Sequence, residues 1–217
     1  MNTKREVGRR SFLKGVVTFT MAEAAFLPRA GAARSVVEEE PNIIGPRQGF
    51  SPQIGTLVSM LNWMRGVILA SVQGLTTAEL DHLVEPQANS IGALLLHLAA
   101  TERYYQIHTF EGRAWGDWDE ETSRRWGAAS ALGEEARRGL KGKHLSTYLD
   151  ALSEMRAHTI EELRNRDDAW LMQVDRTWEW GPTNNYCKWF HVCEHESNHN
   201  GQIKWIKRRL LAAAKRR

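Results

Sequence analysis

Near its end the chain reads FHVCEHESNHNGQI, which sets His191, His195 and His199 four residues apart. Neutral imidazole nitrogens bind divalent zinc, nickel, iron or manganese when a scaffold aims them. Helical residues at i and i+4 lie about 5–6 Å apart, so such a pair can reach one ion. His191 and His199 are separated by about 12 Å of helical rise, too far to share it. Two pairs stay open, His191 with His195 or His195 with His199, and either needs a third ligand from elsewhere. His97 in ALLLHLAA is the candidate, on an inward stripe with Ser90, Leu94, Thr101 and Tyr104. A lone histidine in that setting is usually a hydrogen-bonded core residue, so its case rests on the pair lying opposite. His108 is eleven residues along nearly the same stripe, too far to serve the same ion. Three imidazoles on one ion leave open positions, as reactive rather than structural sites do.

The elements that must position these residues follow from hydrophobic spacing. Ile54, Leu57, Leu61, Met64, Ile68 and Val72 recur every three or four residues, predicting a helix with Ser51 as N-cap and Pro52 first. TTAELDHLVE predicts a short helical turn. A second long helix starts at Asn89 or Ser90 and ends near Gly112. Leu145, Leu149, Leu152, Met155, Thr159 and Leu163 mark a third, and a fourth runs from about Asn185 to Ala213 without proline. On that last helix Val192, His195, His199, Gln202, Ile203, Ile206 and Leu210 form one stripe, which turns two histidines toward the core. Residues 113–143 are rich in glycine and charge and predict a partly helical crossover; MQVDRTWEWGPTNN predicts a loop with an extended piece. No repeat or strand alternation is present. The expected fold is all-α, a four-helix bundle with a long crossover between helices two and three.

SIGALLLHLAATERYY followed about a hundred residues later by HVCEHESNHNGQI resembles the DinB superfamily of metal-binding four-helix bundles, over roughly residues 51–211. The superfamily pattern carries a His-Leu-Ala segment in helix two and a His-x3-His pair running into Gly-Gln-Ile. The resemblance implies a metal triad of His97, His195 and His199, with His191 as a flanking residue. It also implies one divalent cation and activation of a low-molecular-weight thiol, since relatives include thiol-dependent S-transferases and a thiol-dependent isomerase. Bundles of this kind often pair, so a homodimer is an expectation. Asn200 departs from the His or Arg that many relatives carry there, which puts substrate contacts at that position in doubt. Around the triad, Gln202 is placed to hydrogen-bond a ligand, Tyr104 and Tyr105 to line a pocket, Glu194 to reach a neighbouring helix, and Gly201 to admit a close backbone.

GRRSFLKG at residues 8–15 resembles a bacterial twin-arginine export signal. A modestly apolar run and Ala-x-Ala sites ending at Ala32 or Ala33 follow, with Glu23 interrupting the apolar part. The expected organisation is a Tat-type signal over 1–33, a linker over 34–50 and the bundle over 51–214. Residues 1–33 hold 6 of the 29 basic and 2 of the 26 acidic residues, which leaves 23 against 24 in the body. A near-neutral body gives no support for nucleic-acid or membrane-surface binding. Past the leader, no apolar segment reads as long enough for a span. Cys187 and Cys193, six residues apart on one helix, point apart and read as unbridged, buried small residues.

The expected function is a divalent-metal-binding transferase or hydrolase that activates thiol or water against a small molecule. The alternative is an exported, non-catalytic metal-binding protein. Either is expected in the periplasm or outside the cell, delivered by the Tat machinery.

Overall fold

The computed structural model describes residues 40–214, so the twin-arginine stretch and the cleavage sites lie outside the described residues. Four long helices carry the fold: α1 (Pro52–Val72), α3 (Ile91–Thr109), α6 (Leu145–Arg164) and α8 (Asn185–Ala214). The all-α bundle expected from the spacing is what forms. Short helices α2 (Thr77–Leu80), α4 (Glu120–Ala131), α5 (Gly133–Gly139) and α7 (Asp168–Leu171) fill the connections. β1 (Val174–Asp175) and β2 (Thr183–Asn184) pair antiparallel, Val174 opposite Asn184, and form the extended piece of the loop before α8.

Side-chain pairings give the sense of each helix. Tyr105 meets His191 and His97 meets His195, so α3 and α8 run antiparallel. Arg65 meets Glu196 and Ser71 meets Asn200, so α1 and α8 run parallel. Glu102 meets Arg156 and Gln106 meets Thr159, so α3 and α6 are parallel too. A parallel α3–α6 pair cannot be joined by a tight turn. The connection of residues 110–144, with α4 and α5 inside it, returns the chain to the starting end.

The core holds an ion quartet with one member from each long helix. Arg65 of α1 bonds Glu196 of α8 (2.6 Å) and Glu102 of α3 (2.7 Å). Arg156 of α6 bonds the same two carboxylates, at 2.9 and 2.8 Å. The remaining donors go to the Leu152 and Leu61 carbonyls, and Thr159 donates to Glu102. All four charged side chains are buried. Desolvating two ion pairs costs several kcal/mol per ion, of order the attraction recovered, so the quartet contributes register more than net stability. Apolar packing contributes the bulk, through Leu94, Leu98, Leu152 and Ile203 in one cluster and Leu57, Leu61, Tyr105 and Trp189 in the other.

Several local expectations change. Pro52 stands first in α1, but the Ser51 hydroxyl donates to Asp168 Oδ1 (2.5 Å) rather than capping its own helix. Asp168 accepts from Gln53 N and Ile54 N (3.0 and 3.1 Å), so α7 supplies the cap that α1 needs. Ser90, not Asn89, caps α3. By length and composition α1 does reach what a membrane span needs, contrary to the expectation from sequence. It carries Arg65 in the buried quartet and packs on α8, as a bundle helix does. Gly201 faces open space; the close-approach glycine is Gly92, where a Cβ would stand 2.7 Å from the Tyr148 ring. Both cysteines are free, but Cys187 is exposed because it lies on the outer face of α8. Burial raises the Cys193 thiol to about 11.

Burial alone would raise the Glu102 carboxyl, but Arg156 and Arg65 overcome it and hold the group at about 2. A depressed folded pKa stabilises the fold above the unfolded value and loses that contribution as pH falls toward the folded one. Acid unfolding followed by circular dichroism is therefore expected to set in below about pH 4.5 and to be complete near pH 2. Glu102→Gln leaves two buried guanidiniums undercompensated, with an expected loss of about 3–5 kcal/mol in urea unfolding at pH 7.

Candidate metal centre

Three imidazoles converge where α3 crosses α8. His195 Nε2 lies 2.9 Å from His97 Nε2 and 3.1 Å from His199 Nε2. One nitrogen from each ring falls within 4.8 Å of the others, a cluster that could hold a metal ion. Two nitrogens each about 2.1 Å from a common ion would stand roughly 3–3.4 Å apart, close to both observed distances.

The far sides of two rings are tied off. His97 Nδ1 donates to the Ala129 carbonyl (2.9 Å) and His199 Nδ1 donates to Gln202 Oε1 (3.1 Å). Those bonds leave lone pairs on both Nε2 atoms, with His195 Nε2 holding at most one proton for two acceptors. The centre is short of positive charge, and a cation is what fits it. Burial lowers the pKa of His97 and His199. It lowers His195 to about 3, with the neighbouring His199, His97 and His191 adding to the effect. All three rings are neutral at pH 7.

The Ala129 carbonyl is free for a local reason. Leu132 adopts φ +56°, which ends α4 abruptly. In a continuing helix Gly133 N–H would bond the Ala129 carbonyl. Here Gly133 N donates to Asn89 Oδ1 (3.3 Å) instead, and the carbonyl turns to His97. Sequence reading missed this partner, because a backbone acceptor on a crossover helix has no side-chain signature; only the LeuGly pair at 132–133 hinted at the break.

The other candidates separate from the triad. His191 stays outside the cluster: its Nδ1 is 2.9 Å from the Tyr105 hydroxyl, and its ring contacts His195 with centroids 5.3 Å apart. His108 belongs to a second polar group, where Lys188 Nζ donates to its Nε2 (2.7 Å) and to Asp175 Oδ2 (2.8 Å). Gln202 does bond a ring of the triad. Glu194 is exposed; Glu196, not singled out beforehand, is the acid of α8 that pairs with neighbouring helices. Asn200 faces away, accepting from the Ser71 hydroxyl (2.7 Å). Tyr104 stacks on Trp118 with centroids 4.4 Å apart, while Tyr105 packs among Trp115, Trp178 and His191 beside the triad.

With this geometry in hand, comparisons with known proteins add three findings. The sequence model of the family described as Mycothiol-S-transferase matches residues 56–211. A crystal structure of a conserved protein from Enterococcus faecalis is similar at 17% identity with a TM-score of 0.53, covering 70% of this chain and 93% of that one. At that identity the likeness speaks to the fold alone. Comparison with curated proteins gives no match.

The Lys188–Asp175 pair ties the loop before α8 to the helix that carries the histidines. The bonds from Lys188 and Thr177 hold the Asp175 carboxyl well below its usual range. Asp175→Asn removes the charge that Lys188 meets and is expected to speed amide hydrogen exchange across residues 172–184 by about tenfold, with the four long helices unaffected.

Proposed function

The chain belongs to the mycothiol-S-transferase family, within the DinB-like superfamily, and on that footing we propose that it is a metal-dependent transferase. Its substrates would be a low-molecular-weight thiol, mycothiol by the family's description, and a small electrophile. The observation that carries the proposal is the convergence of the Nε2 atoms of three neutral imidazoles, two of which have the outer nitrogen tied off. His97, His195 and His199 would hold one divalent cation. When bound, such a cation lowers the pKa of a thiol or water and so supplies a nucleophile near neutral pH.

The chain's own residues do the positioning. The Ala129 carbonyl and the Gln202 amide orient two of the rings and raise their basicity. His195 is aimed by its place between them on α8. The Tyr105–His191 pair offers a hydrogen-bonding edge next to the triad, and burial keeps the Tyr105 phenol protonated. Of the two thiols among the described residues, Cys193 is held protonated by burial, while Cys187 is exposed one helical turn before His191.

A second reading has its own observation in favour. The GRRSFLKG motif and the small-residue sites near Ala33 support export of the folded chain by the Tat pathway. An exported protein could bind metal without turnover, since the periplasm is not rich in free thiol.

Elemental analysis of protein purified without tags or chelators is expected to find close to one equivalent of transition metal per chain. His97→Ala and His195→Ala are expected to lose it, His191→Ala to keep it, and Gln202→Ala to weaken metal affinity about 10–100-fold. Metal-loaded protein is expected to consume mycothiol in the presence of an electrophile; stoichiometric metal with no thiol consumption over a panel of electrophiles decides for the second reading. Replacing Arg9 and Arg10 together by Lys is expected to retain the protein in the cytoplasm, measured by cell fractionation.

A further inference from the structure

Beside the triad stands a group of aromatic rings, of which Tyr105 and Trp178 belong to the core while Trp115 and Trp180 reach solvent. Going round it, Tyr105 contacts Trp115 (centroids 5.0 Å), Trp115 contacts Trp178 (5.0 Å), and Trp178 contacts Trp180 (5.5 Å). Trp180 then contacts His191 (5.0 Å), and His191 closes the circuit on Tyr105 (5.7 Å). His191 also touches His195, so the circuit abuts the metal centre on one side.

Two of these rings are left half in water. Trp115 is 40% exposed and Trp180 is 50% exposed, a costly arrangement for the largest apolar side chains. Neither is stacked face to face: every contact of both is tilted or edge-on, with interplanar angles of 55–88° for Trp115 and 73–86° for Trp180. Both are nonetheless held firmly. The Trp115 loop is pinned by Arg113, which bonds Asp117 and Asp119, while its carbonyl accepts from His108. The Trp180 loop is pinned by the β1–β2 pair and by a turn in which Gly181 N–H, at φ +90°, bonds the Trp178 carbonyl (2.8 Å). Rings fixed in place and partly exposed are pre-organised for stacking.

Two polar details narrow what would stack there. Lys188 already sits over the Trp178 ring at 4.4 Å, so the cation-binding capacity of that face is taken. Its charge is balanced by Asp175, so an anion gains little. Trp178 is buried, and its Nε1–H is a donor with no acceptor among the described residues. A neutral, flat ligand bearing one acceptor oxygen meets all three conditions.

We propose that this aromatic group of Trp115, Trp178 and Trp180 is the subsite for the electrophilic substrate, and that it takes an aromatic or conjugated carbonyl compound. The inference rests on the transferase reading for the ligand's role, but its test does not need turnover. Purified full-length protein is titrated with 4-nitroacetophenone, and quenching of tryptophan fluorescence is followed. Saturable quenching is expected, with the dissociation constant raised about tenfold in Trp180→Ala and in Trp115→Ala. Metal content and circular dichroism of both variants are expected to match the parent. Trp178→Phe, which keeps a ring but removes the N–H, is expected to weaken binding of acetophenone while leaving naphthalene binding unchanged. Cyclohexyl methyl ketone is expected to compete at least tenfold less well than acetophenone. Equal affinity in the parent and both alanine variants, or equal competition by the saturated ketone, overturns the subsite. A protein that binds the probe as expected but consumes no thiol overturns the transferase reading and leaves the subsite standing.

Discussion

The buried quartet of Arg65, Glu102, Arg156 and Glu196 is the constraint on which the remaining structure depends. It draws one charge from each long helix, and each guanidinium bridges both carboxylates. Apolar side chains tolerate sliding of one helix past another, because any hydrophobic surface satisfies any other. Buried charges do not: a shift of one turn would strand an ion at a cost of several kcal/mol. Glu196 is next to His195 in sequence, and Glu102 lies five residues past His97. The register that pairs the ions on α3 and α8 is therefore the register that brings His97 to His195.

Around that register the chain recruits its irregular parts. The crossover made necessary by parallel α3 and α6 ends α4 at a leucine with positive φ, and the carbonyl so released orients His97. The loop before α8 is tied back by Lys188 and Asp175 and carries Trp178 and Trp180 to the edge of the triad. The same α3–α8 seam thus presents, in sequence along its length, three metal-competent rings, a Tyr–His pair with an aromatic wall, and a closed Lys–His–Asp group. A groove of about 830 Å³ between α1 and α6 has none of these groups in its lining.

Much of this was legible beforehand, and for reasons that can be named. Helical periodicity located all four long helices, since a buried stripe must recur every three or four residues. The i, i+4 rule left two histidine pairs, and the resemblance to the DinB superfamily chose His195 with His199. Those two rings and His97 are the ones the fold gathers. Other expectations failed where the deciding partner was distant in sequence. Gly201 looked like a packing glycine but faces open space, while Gly92 admits Tyr148. Cys187 looked like a small buried residue, but its position on α8 turns it outward. Glu196 drew no notice, because a single acid in a polar run carries no mark of burial.

By itself the amino-acid sequence determined the helices, the long connection, the near-neutral body and the residue types able to bind a cation, because periodicity, composition and side-chain chemistry are local properties. Only the tertiary structure decided that a carbonyl on the crossover holds His97, that two acids and two arginines set the helix register, and that tryptophans from two separate loops meet beside the histidines. Each of those depends on groups brought together from distant positions, and it is the burial of the shared core, not any neighbouring residue, that brings them into contact.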